Sequence, residues 1–63
     1  MSQQRDEFTE ALEMELRLRG LAIDRWTLTD FVRGIAPLIE EDPEPAAWAQ
    51  ALIQERGAEV CLA

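Results

Sequence analysis

The chain has 63 residues, 48% of them hydrophobic, and a formal net charge of −7. That length holds one small domain whose own core is marginal. Cys61 is the single cysteine and histidine is absent, which excludes an intrachain disulfide and a cysteine–histidine zinc site. The acidic balance repels phosphate backbones and anionic bilayers, so nucleic acid and membrane partners are disfavoured.

The first predicted element is a helix over residues 3–19, built from Glu, Ala, Leu, Met and Arg, all strong helix formers. Gly20 supplies its stop. Residues 12–19 alternate strictly between apolar and charged types, which is also a strand pattern. The stretch contains no β-branched or aromatic residue, and this favours the helix. On a helix, Phe8, Leu12 and Leu16 form one apolar row, and Ala11, Met14 and Leu18 form a second. Glu15 and Arg19 lie between the rows at a spacing of four residues, which suits an ion pair. A pair at that place also has the position to set the register of a dimer.

Residues 20–26 carry Leu21, Ile23 and Trp26, so this connection is expected to pack over the core. A second helix is predicted over residues 28–41. Thr27 and Asp30 have the spacing of a capping box. Leu28, Phe31, Ile35, Leu38 and Ile39, together with Val32, fall on one face. With Phe8, the first five are the predicted core. Pro37 removes a backbone donor but projects to the opposite face, where it leaves the packed side intact.

Asp42 and Pro43 suit an N-cap and a first helical position, so a third helix is predicted over residues 43–56, with Gly57 as its stop. Its apolar residues, Ala46, Trp48, Ala49, Ala51, Leu52 and Ile53, spread over a wide arc. The tail, residues 58–63, is either a short extended segment or a frayed end.

The fold class expected is all-α, a small three-helix bundle-like domain spanning residues 1–63. The first and third helices have apolar arcs of about 200°, against the roughly 100° typical of a surface helix. A single copy is expected to leave that excess exposed, so completion by homodimerisation is predicted, with Leu12, Leu16, Trp48 and Leu52 as the interface.

Catalytic material is sparse. Lysine, histidine and tyrosine are absent, Ser2 is the only serine, and Cys61 has no histidine to activate it. No enzyme activity, metal or cofactor is expected. The acidic run Glu40, Glu41, Asp42 and Glu44 lacks the ligand order of a calcium loop and reads as a solvated turn. Arg17, Arg19, Arg25 and Arg33 outnumber Asp24 and Asp30 in the middle of the chain. This local surplus permits a helix-turn-helix reading in which Thr27, Thr29 and Arg33 face DNA.

The function expected is a non-catalytic adaptor or oligomerisation module that binds itself or another protein. The alternative is a small bacterial regulator, either a helix-turn-helix-like DNA-binding dimer or an acidic antitoxin-like protein that masks a basic partner. The first residues have no basic-then-apolar leader order, and no apolar run has spanning length, so the cytoplasm is the expected location.

Overall fold

The computed structural model describes residues 3–62, with side chains described over residues 5–62. Ser2 and the last tail residue, Ala63, lie outside that range. The elements in order are α1 (Gln3–Leu18), β1 (Leu21–Ala22), α2 (Arg25–Ile39), α3 (Pro45–Arg56), a 3₁₀ turn (Gly57–Glu59) and β2 (Cys61–Leu62). The protein is mostly helical, with one two-stranded antiparallel sheet in which Leu21 faces Leu62 and Ala22 faces Cys61.

The alternating stretch is helical as far as Leu18. In a strand its four apolar residues would share one side. In α1, Leu12 and Leu16 have no exposed surface while Met14 and Leu18 point outward, the separation expected from 3.6 residues per turn. Thr9 is buried beside this row, and its hydroxyl donates to the Arg5 carbonyl at 2.8 Å. Gly20 closes the helix at φ +74°, a left-handed conformation that glycine adopts without the steric cost of a Cβ.

The second helix begins at Arg25, three residues before the predicted start, because Asp24 and not Thr27 caps it. Asp24 accepts from the Thr27 amide at 2.8 Å and from the Thr27 hydroxyl at 2.7 Å. Thr27 therefore sits at the third helical position of a cap whose N-cap residue is the aspartate. Leu28, Phe31, Val32 and Ile35 are buried, and Ile39 packs on the core's margin. Leu38 corrects the predicted core list: it is about half exposed. It lies on the edge of the apolar stripe in the last turn, where the helix is ending. Pro37 faces solvent and the helix runs through it.

The third helix starts at Pro45, two residues later than predicted. A residue preceding proline is pushed away from helical dihedrals, and Glu44 accordingly has φ −83° and ψ 107°. A helix that began at Pro43 would hold Glu44 in a conformation that Pro45 disfavours, so the second proline takes the first helical position. The Asp42 carbonyl accepts a hydrogen bond from the Trp48 indole N–H instead, and this ties the α2–α3 turn to the third helix.

Phe8, Leu12 and Leu16 from α1, Leu28, Phe31, Val32 and Ile35 from α2, and Ala49 and Leu52 from α3 form the core. Leu21, Ile23 and Val60 lie against it from the connection and tail. The connection does cover the core, except for Trp26, which is exposed. Arg25 reaches Glu13 at 3.3 Å across α1 and α2, and Arg56 reaches Asp30 at 2.9 Å across α3 and α2. These pairs are largely solvated and are worth less than the core.

A fold of this length has roughly 3–9 kcal/mol of stability in total. Phe31→Ala is expected to cost about 3–5 kcal/mol and to leave little or no cooperative urea transition. Leu38→Ala is expected to change stability by less than about 0.5 kcal/mol. Equal losses in the two variants would contradict the packing described.

The Asp24 carboxyl is held below its ordinary value of 3.8, first by the Thr27 hydroxyl and then by the Thr27 amide. A lowered carboxyl pKa contributes stability that is complete above the ordinary value and fades as pH falls through the lowered one. Asp24→Asn keeps a capping oxygen but does not titrate. The melting-temperature gap between wild type and this variant should therefore be constant near neutrality and close below about pH 4.

Candidate interaction surfaces

Three residues expected at an interface are inside a single chain. Leu12, Leu16 and Leu52 have no exposed surface, so they cannot meet a partner. Their removal from the interface is a correction, and its cause is topological. The third helix packs along α1, so these two helices cover each other's leucines where a second copy was expected to do so. Trp48 is half-buried, lies against the core and is tethered to Asp42. A charged residue at Leu52 would accordingly unfold the chain, not split a dimer.

The Glu15–Arg19 pair forms within one chain. Arg19 bonds the Glu15 carboxylate at 2.9 Å and the Glu15 carbonyl at 3.1 Å. With both partners satisfied inside one helix, a cross-subunit register role has no observation behind it. The pair is an i, i+4 contact at a helix end, worth about 0.3–0.5 kcal/mol.

The large apolar side chains left outside are a different set: Met14 (55% exposed), Leu18 (74%), Trp26 (72%), Leu38 (52%) and Leu62 (85%). Leu18 ends α1, Trp26 lies in the first turn of α2 and Leu62 lies in β2. The pairing of β1 with β2 brings these three elements to the same end of the molecule. Met14 precedes Leu18 by one turn on the same face of α1. That row was visible in the sequence. Trp26 and Leu62 were not: Trp26 reads as part of a connection packed over the core, and Leu62 as part of an extended or frayed tail with no predicted face.

Charge is balanced at this end once the Asp24 cap is counted with Glu13 and Glu15 against Arg17, Arg19 and Arg25. Arg17 and Arg25 both approach Glu13, at 3.6 and 3.3 Å, and Arg19 pairs with Glu15. Cys61 is exposed there as a free thiol.

The opposite end differs in shape and charge. The start of α1, the end of α2 and the turn into α3 enclose an open groove of about 380 Å³, lined by Glu7, Phe8, Ala11, Ile39, Glu40, Pro43 and Pro45. Glu41, Asp42 and Glu44 occupy the same turn and are exposed. Among the described residues none of these carboxylates pairs with an arginine. The groove was not foreseen. Its only sequence signal is the Pro-Glu-Pro run, which reads as a helix boundary.

The helix-turn-helix reading loses one of its three contacts. Thr27 is buried and both its amide and hydroxyl are spent on Asp24, so it cannot reach a base edge. Among the described residues no helix is long and apolar enough to cross a membrane. No protein family, curated protein or solved structure matches this chain.

If Glu15 and Arg19 serve only their own helix, Arg19→Ala should lower stability by about 0.5 kcal/mol or less and leave the sedimentation coefficient unchanged. A change in oligomeric state on this substitution would restore the register role.

Proposed function

We propose that this protein is a small, non-catalytic interaction module that self-associates through the end where α1 finishes, β1 pairs with β2, and α2 begins. The observation that carries this reading is the exposure of Leu18, Trp26 and Leu62 at that one end. Large apolar groups so exposed mark association surfaces, and tryptophan is prominent among interface anchors.

Charge selects a second copy as the occupant and this end as the place. Two molecules of net charge −7 repel each other least where arginines and carboxylates are already matched. The opposite end, with its unpaired carboxylates, would oppose a symmetric contact. The size is also compatible. A standard interface buries roughly 800 Å² per partner, about a fifth of this chain's 4366 Å². A short chain whose lone cysteine permits no internal disulfide gains stability by such mass action.

A second reading, an acidic regulator that masks a basic partner, draws support from the clustering of carboxylates at the far end. Binding to DNA draws none beyond the exposed Arg33.

Sedimentation equilibrium across the micromolar range should show species heavier than 7.2 kDa. Leu18→Glu and Leu62→Glu should each shift the distribution to monomer while helical circular dichroism stays unchanged. A 7.2 kDa species at all concentrations overturns the reading, as does an unaltered oligomer in both variants.

A further inference from the structure

We propose that the groove at the acidic end is a docking site for a cationic amphipathic helix of a protein partner. This surface is separate from the self-association end, and the proposal does not depend on that reading.

The groove has an apolar floor and acidic walls. Ala11 and Ile39 are half-buried and Phe8 nearly fully so, while Pro43 and Pro45 close the side formed by the turn. A volume of about 380 Å³ is at the lower end of the range for binding clefts. It has room for one or two large aliphatic or aromatic side chains. Prolines stiffen the wall, because their φ angles are fixed and the loop has less freedom to lose on binding. The Trp48 indole bond to the Asp42 carbonyl holds the same turn against α3.

The rim sets the sign of the occupant. Glu7 and Glu40 line the groove, and Glu41, Asp42 and Glu44 stand beside it without an arginine partner among the described residues. Four of the six arginines are engaged elsewhere: Arg17 and Arg25 at Glu13, Arg19 at Glu15, and Arg56 at Asp30 and Glu59. A second copy has only Arg5 and Arg33 without a carboxylate partner among the described residues, against the five carboxylates of Glu7 and residues 40–44, so a symmetric contact would oppose mainly carboxylate to carboxylate. Nucleic acid and anionic lipid are repelled by the same field. A segment with arginine or lysine flanking an apolar anchor satisfies both floor and rim. Such segments commonly bind as helices that lay an apolar face into a groove.

The probe is a synthetic helical peptide with leucine on one face and arginine on the other. Two controls accompany it, a polyarginine peptide of equal charge and the same helix with glutamate in place of arginine. Titration followed by amide resonances of the full chain should show saturable binding at about 1–100 µM, with shifts centred on Phe8, Ala11, Ile39 and Glu40. Ala11→Arg, which fills the groove from the exposed shoulder of a helix, should weaken binding about tenfold or more. Glu40→Arg should weaken it by about three- to tenfold and reduce its salt dependence. Circular dichroism should confirm that both variants fold. Leu18→Glu should bind the peptide as wild type does, which separates this site from self-association. Equal binding of polyarginine overturns the proposal in favour of a nonspecific acidic surface. Absence of saturable binding, indifference to Ala11→Arg, or groove resonances that move with protein concentration alone would each overturn it too.

Discussion

The packing of α2 and α3 against the buried row of α1 is the contact on which the rest of the molecule depends. Leu12 and Leu16, Leu28, and Leu52 with Ala49 come from three different helices and all lose their exposed surface in that one place. At 16, 15 and 12 residues these helices are marginal when isolated in water. Each is held by the burial of its stripe, at about 25 cal/mol per Å² of apolar surface removed from solvent. The ion pairs between helices are half-exposed and trim the arrangement without creating it.

Because the core is closed within one chain, the apolar groups that remain outside gain meaning. The protein satisfies its longest apolar row internally and still presents Leu18, Trp26 and Leu62 to solvent. A wide apolar arc on a helix thus has two separate fates here. Alanines and the half-covered Trp48 and Ile53 fill the shoulders of α3, while α1 leaves its second row unpartnered. The wide arc is real, but the apolar groups it leaves exposed lie on the side of α1 away from the leucines first expected at an interface.

Topology also sorts the charge. Consecutive helices reverse direction, so the start of α1 meets the end of α2 and the turn into α3, whereas the end of α1 meets the start of α2 and the tail. The carboxylates of residues 40–44 are thereby gathered beside Glu7 at one end, and Arg17, Arg19 and Arg25 are gathered with Glu13 and Glu15 at the other. A chain that is simply acidic in sum becomes polar in space. One end has matched charges and exposed apolar residues, and the other has a groove with an unneutralised rim.

Helix formation and the buried face of α2 were legible from local information. Propensity chose helix over strand for the alternating segment, and periodicity placed Leu28, Phe31 and Ile35 on one side. Gly20 marked an end because only its lack of a Cβ makes φ +74° inexpensive. Helix starts were less legible, since each depends on a choice between neighbouring caps: Asp24 against Thr27, and Pro45 against Pro43. The constraint that decides the second was present in the sequence, as proline disfavours a helical residue before it. What no local pattern contains is which apolar row of α1 another helix will cover, or which end of the bundle a turn will reach. Those are long-range outcomes of packing and chain direction. They removed Leu12, Leu16 and Leu52 from the surface, left Leu38 and Trp26 on it, and built the acidic groove from two groups of residues about thirty positions apart.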